Sequence, residues 1–253
     1  MVASEIRANA RMALAGKWGK AALLTLVFIL VSFVLNFVCA LIPVIGGIIL
    51  FVISTPISFG LLVSFMKLKR DEEVSYTDFL SIGFSSFSKV WSVFGNMLLK
   101  MVIPICLLVV FIILLIVSLG GSLASAVITE SASGVAGFGF LAFVSVIGYV
   151  ASLIYLIVKG FLYYLSYHIL NDNPNMTGKE VVEMSESLMR GNRWRFFWLN
   201  LTFIGWVFLA GLTFGIGMLW LMPYMIVASV CFYEELAGKS TTSVETTETN
   251  TEE

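Results

Sequence analysis

Residues 196–235 read FFWLNLTFIGWVFLAGLTFGIGMLWLMPYMIVASVCFYEE. No charged side chain occurs between Phe196 and Tyr233, and the only marked break is Gly215-Ile216-Gly217. In water such a run would aggregate. In a bilayer it is two spanning helices back to back, since each crossing takes roughly twenty mostly apolar residues. Helix is required there because hydrocarbon offers no partner for a free backbone N–H or C=O.

Working outward, the whole chain has the same character. Its 253 residues are 59% hydrophobic and 12% charged, with a mean hydropathy of +0.97. A soluble domain is nearer a quarter charged, so the composition predicts an all-α, polytopic membrane protein. A net charge of −1 argues against a nucleic-acid partner. Cys39, Cys106 and Cys231 lie singly in apolar runs and read as small buried hydrophobes. The first apolar run lacks a small-residue cleavage site, which predicts no cleavable leader.

In chain order, residues 3–17 predict a short amphipathic helix capped by Ser4, with Ile6, Ala10 and Leu14 on one face and Gly16 at its end. Spans follow at about 21–42 and 45–66, joined by an uncharged turn at Pro43 and Gly46-Gly47. Asp71-Glu72-Glu73 reads as a solvated linker. Within 76–100, Leu80, Phe84, Phe87, Trp91, Phe94 and Leu98 form one helical stripe among serines, which predicts a helix lying at the membrane interface. Pro104 suits the first turn of a third span, about 103–119. Residues 120–137, rich in Gly, Ser and Ala, read as a loop whose one charge is Glu130. A fourth span covers about 138–160, with apolar character continuing to Leu170 and stopped by Asn171-Asp172-Asn173-Pro174. Thr177 and Glu180 spell a capping box for a helix over 178–190, with Val181, Met184, Ser185 and Leu188 on one face and Gly191 as its stop. The last two spans are about 196–213 and 216–234. Residues 1–236 thus read as a single transmembrane domain, and 237–253 as a disordered, acidic, Thr-rich tail.

Charge sets the expected topology. All fifteen Lys and Arg fall in the N-terminal arm, in 67–100, in 159–195 or in the tail, and none between spans one and two, three and four, or five and six. The positive-inside rule then gives six spans as three hairpins, with both termini cytoplasmic. The same pattern suggests a threefold series at 3–70, 76–170 and 177–236, each a short helix, a Trp near a basic residue, and a hairpin. Any three hairpins entered from one side would share such features, so both readings stay open.

Several motifs are familiar. Phe203-Ile204-Gly205-Trp206, Thr213-Phe214-Gly215-Ile216-Gly217, Pro223-Tyr224, Tyr167-His168-Ile169-Leu170, Ser187-Leu188-Met189-Arg190-Gly191 and Ala13-Leu14-Ala15-Gly16-Lys17-Trp18 resemble the bacterial integral membrane family known as domain of unknown function 975. The likeness covers most of 5–236 and is densest from 164 onward. Over 101–160 it is one of hydropathy only, and a Pro-Gly expected early in the fourth span is replaced by Gly148 alone. The resemblance implies a helical protein of a bacterial plasma membrane and brings no catalytic residues.

Chemistry is sparse. A charge at the bilayer centre costs roughly 2.5–3.5 kcal/mol on insertion scales, so intramembrane ionisable groups mark function. Spans one, two, five and six have none, and Asn36 and Asn200 read as helix–helix contacts. The candidate buried polar residues are Lys100, Lys159 and His168. The two lysines lie near span ends and can snorkel, unless the fourth span is shifted and buries Lys159. His168 reads as an interfacial hydrogen-bonding residue rather than a base or metal ligand. No metal, cofactor or catalytic motif is spelled out. Lys17, Lys20, Lys89, Arg190, Arg193 and Arg195, beside Trp18, Trp91 and Trp194, form a basic belt suited to anionic lipid headgroups. The expectation is a non-enzymatic membrane module that organises lipids, a membrane protein partner or copies of itself. The alternative is a transporter or channel for a small neutral or amphiphilic solute, with Pro56 and Pro223 as hinges.

Overall fold

The computed structural model describes residues 2–42, 45–128 and 132–238. The expected turn at Pro43, the charge at Glu130 and the tail beyond Gly238 lie outside the described residues. Among those described, all regular structure is helical: α1 (Ala3–Ala13), α2 (Trp18–Ala40), α3 (Ile45–Lys69), α4 (Asp78–Ser85), α5 (Phe87–Val127), α6 (Ala132–Tyr163), α7 (Ser166–Asp172), α8 (Gly178–Met189), α9 (Arg193–Leu212) and α10 (Met218–Leu236). Among the described residues, six segments are long and apolar enough to cross a membrane: α2, α3, α5, α6 continued through α7, α9 and α10. The chain divides into two compact units, Met1–Phe94 with Tyr164–Glu253, and Gly95–Tyr163.

In the first unit α3 packs against α2, α4, α7 and α10, and α10 also meets α1, α2 and α9. Phe65, Met66, Val227, Ala228 and Phe232 are fully buried there. The α3–α4 crossing brings backbone onto backbone: a Cβ on Gly60 would stand 1.9 Å from the carbonyl oxygen of Phe79, and one on Gly83 2.5 Å from that of Pro56. Pro56 has no N–H, so the carbonyl of Val52, one turn earlier, loses its helical partner. The Trp91 indole N–H donates to that oxygen at 3.3 Å. Trp91 also stacks edge-on with Phe51 and Phe94, so the ring is a plug for a broken ladder as well as an aromatic contact.

The second unit holds most of α5 and all of α6. Phe111 fills the notch at Gly148 and Phe138 the notch at Gly121, where an added Cβ would lie 2.1 Å and 2.5 Å from ring atoms. The two pairs run in opposite order along the two helices, which makes the crossing antiparallel.

Several local expectations change. Ser4 is not the cap of α1; Val2 occupies that position, and Glu5 reaches back to accept from its N–H at 2.8 Å. Residues 120–137 are not a loop throughout, since helix continues to Val127 and resumes at Ala132. Each further helical residue gains an intrahelical bond, and the helix runs through Gly120 and Gly121 despite the roughly 1 kcal/mol cost of each helical glycine. The helices that carry the expected spans 103–119 and 138–160 are therefore longer, Phe87–Val127 and Ala132–Tyr163. Pro104 sits inside α5 rather than in its first turn, because that helix already starts at Phe87. In 76–100 the helix breaks at Ser86, and the buried positions are Phe79, Gly83, Val90 and Val93, while Phe84 and Leu98 are about half exposed. The α3 backbone admits the glycine edge of α4, which turns the aromatic stripe partly outward.

Candidate functional site

Helices α3, α7 and α10 end together in a charge network. Arg70, just past α3, donates from Nη1 and Nη2 to the two carboxylate oxygens of Asp172 at 2.8 and 3.0 Å. Its Nε donates to Glu234 at 3.3 Å, and Lys69 pairs with the other oxygen of Glu234. The Tyr233 hydroxyl donates to Asp172 at 3.1 Å. Asp172 is almost wholly buried, with 3% of its side chain exposed. Two cations thus face two anions, and the set is neutral. The hydrogen bond with Asp172 is the main cause that raises the Arg70 pKa above its ordinary value, against the opposing effect of burial. Beside it, Arg195 at the start of α9 bonds Glu235 at the end of α10 at 2.6 Å. Lys17 reaches the C-terminal end of α3, where it donates to the Leu68 carbonyl at 3.1 Å and pairs with Asp71 at 2.5 Å.

A buried ion pair of this kind costs much to desolvate and is a weak source of net stability. What it supplies is register. Its partners lie on separate helices, and a misplaced helix end would leave a charge buried alone.

His168 on α7 is buried between aromatic rings, with centroids 6.0 Å from Tyr164 and 5.4 Å from Tyr233. Its Nε2 lies 3.2 Å from Ser229 Oγ, and that hydroxyl donates to the Ile226 carbonyl at 2.7 Å. Nε2 is therefore assigned the proton, and Nδ1, buried with no partner, is a bare acceptor. The ring bridges α7 to α10.

The expected basic belt divides by partner. Lys17 and Arg195 are held in the pairs above. Arg190 pairs with Glu186 one turn back, and Lys89 donates to the Pro174 carbonyl at 3.0 Å. Lys20 and Arg193 have no ion-pair partner among the described residues. Trp194 is exposed, whereas Trp18 lies 6.2 Å from Tyr224. In the second unit, Lys159 extends over the Tyr155 ring at 5.9 Å, and both Lys159 and Lys100 are half-buried.

Sequence reasoning missed the network. Asp172 read as a helix stop and Arg70 as the end of a span, and 102 residues separate them. The available signal was a pair of charges at the ends of apolar helices, Lys69-Arg70 and Glu234-Glu235. Thr177 and Glu180 do form the expected box: the hydroxyl accepts from the Glu180 N–H at 3.4 Å and the carboxylate from the Thr177 N–H at 2.9 Å.

A family described as protein of unknown function (DUF975) matches residues 1–240. No curated protein and no solved structure matches.

Proposed function

Taking as premise that the chain belongs to the DUF975 family, whose description assigns no activity, we propose that it is a non-enzymatic, multi-pass membrane module that organises lipids or partner proteins. Its spans form three hairpins, with short helices at the cytoplasmic face and both termini cytoplasmic. The contacts of α2 with α3 and of α9 with α10 support the hairpins, as do the two phenylalanine notches of α5 and α6. The exclusive placement of Lys and Arg in the arms and in the segments between hairpins supports the orientation. In α1 and α8, Ile6, Ala10, Val181 and Met189 are buried while Glu5, Arg11, Glu183 and Ser187 are exposed, which supports an interfacial position.

One observation carries the choice of a module over a conduit. Six of the polar side chains inside the spans bond their own backbones. Thr25 donates to Ala21 at 2.9 Å, Asn36 to Ser32 at 2.8 Å, and Ser64 to Gly60 at 2.9 Å. Ser145 donates to Leu141 at 2.7 Å, Ser152 to Gly148 at 2.7 Å, and Asn200 to Phe196 at 2.8 Å. A permeation path must replace an ion's hydration shell with carbonyls, carboxylates or rings of polar groups, and groups turned onto their own helix do not do so.

The test is a flux assay for potassium, sodium, protons and chloride with the purified protein in liposomes. No flux above that of protein-free liposomes is expected. A protein-dependent flux abolished by Lys159→Met would reject the module in favour of the transporter.

A further inference from the structure

A cavity of about 400 Å³ opens between α1, α9 and α10, within the first unit. Its walls are mostly apolar and aromatic, with Trp18, Trp206, Leu209, Trp220 and Tyr224 among them, and Arg7 and Arg11 line it too. The volume lies within the roughly 300–1,000 Å³ of small-molecule sites. No Asp or Glu lines it. Its one aliphatic hydroxyl, Thr213, is already engaged with the Ala210 carbonyl at 2.8 Å and the Gly217 N–H at 2.9 Å.

The two arginines carry the argument. Spaced by four residues, they sit one turn apart on one side of α1, where like charges destabilise a helix. Neither has a carboxylate partner among the described residues, and the Arg7 Nε is buried with no hydrogen-bond partner. Elsewhere in this unit the structure pairs its inward-facing cations, as at Lys69, Arg70 and Arg195. Here two arginines without a carboxylate partner among the described residues line an otherwise apolar, Trp-rich groove. A guanidinium fork matches phosphate oxygens in pairs, and an anion between the two would also remove their mutual repulsion. A free anion would have no use for the groove; an amphiphile fills both parts.

We propose that this groove holds one anionic glycerophospholipid, its phosphate on Arg7 and Arg11 and an acyl chain along Trp206, Leu209 and Trp220. The proposal rests on the reading of the chain as a membrane module and gives that module a defined lipid site, apart from the exposed basic belt. Because α1 supplies the arginines while α9 and α10 supply the groove, a bound lipid ties the N-terminal helix to the last hairpin.

The full chain, reconstituted in phosphatidylcholine vesicles, would be titrated with phosphatidylglycerol carrying brominated acyl chains, and tryptophan quenching followed. The expected result is half-maximal quenching at a lower mole fraction than with brominated phosphatidylcholine. Arg7→Gln with Arg11→Gln should raise the half-maximal fraction by on the order of tenfold or more, since each surface cation strengthens binding of an anionic lipid several-fold. Lys20→Gln with Arg193→Gln, which removes two unpaired cations outside the groove, should shift it little. Trp206→Phe with Trp220→Phe should remove most of the selective quenching. Equal quenching of the natural chain by the two brominated lipids overturns the proposal without any variant. So does an equal shift from the Lys20 and Arg193 changes, which would mean a diffuse belt, or displacement by millimolar inorganic phosphate, which would mean an anion site. Ion flux in the same vesicles reads the module hypothesis separately, so each can fail alone.

Discussion

The two units are built on different principles. Residues 2–94 and 164–238 bury a core of large side chains, cross backbones at glycine, and close their ends with ion pairs between separate helices. Residues 95–163 leave most of their large apolar side chains exposed: Leu99, Ile103, Ile116, Leu123, Phe140 and Phe143 are each more than 60% accessible. Their contact is made by rings in glycine notches, and their only charges among the described residues are Lys100 and Lys159. The first unit specifies its fold through partners within the chain. The second leaves an apolar surface that, in a lipid solvent, would gain little from burial against another helix.

The sharpest way to break this comparison is to remove one partner of the buried network. Arg70→Gln strands Asp172, whose side chain is nearly inaccessible. Leaving a buried charge alone costs about 3–5 kcal/mol, or roughly 10 °C or more in Tm for a domain of this size. Arg70→Met combined with Asp172→Leu should recover most of that loss, because an apolar pair of similar volume carries no desolvation cost. Lys159→Met in the second unit loses at most a cation–π contact of about 0.5–1 kcal/mol. Thermal unfolding in detergent ranks the three. A Tm for Arg70→Gln within about 2 °C of the natural chain, which this scaling equates with under ~1 kcal/mol, would mean that the network is not a register device.

Glycine contacts give the next largest effect. Gly60→Ala places a methyl group against the Phe79 backbone, which cannot swing aside, and overpacking of this sort costs about 1–3 kcal/mol. Gly148→Ala meets only the Phe111 ring, a side chain that can rotate, and the substitution gains roughly 0.5–1 kcal/mol of helix propensity. The first change should lower Tm clearly and the second leave it nearly unchanged. Equal losses would show that both units depend on fixed helix separation.

The difference also explains what could be read in the sequence. Six helices long and apolar enough to cross a membrane were legible because hydropathy and the absence of charge act within one segment. So were the box at Thr177 and Glu180 and the stops at Gly16 and Gly191, both at positive φ, because they rest on neighbours within four residues. Arg70 with Asp172, His168 with Ser229, and Trp91 with the carbonyl freed by Pro56 were not legible, since each depends on which helices become neighbours. The stretch 120–137 was misread because its Gly and Ser weigh toward a loop in water and toward helix in an apolar medium. The stripe at Phe84 and Leu98 was real as a pattern, but periodicity alone does not say whether an apolar face meets protein or lipid.

The smallest expected effect lies at the start of α8 and separates the units by pH. Glu180 is fully exposed, yet hydrogen bonds from Thr177, first from its backbone N–H, hold its carboxylate below the usual range. A depressed carboxylate contributes stability that is present above its unfolded value and is lost as pH falls through its folded one. Acidification should therefore loosen the first turn of α8, and with it the amides of Glu180 and Val181. Thr177→Ala, which removes a cap worth about 1 kcal/mol but keeps the backbone N–H that Glu180 accepts, should loosen the same turn at neutral pH and leave acid to loosen it further. Residues 132–163 contain no Asp or Glu, so their amides have no carboxylate of their own to lose. Hydrogen exchange between pH 7 and pH 4, corrected for intrinsic rates, should show protection falling at Glu180 and Val181 while that of α6 holds. A uniform fall in both places would mean that acid acts on the whole chain at once, and that the two units do not differ in what holds them together.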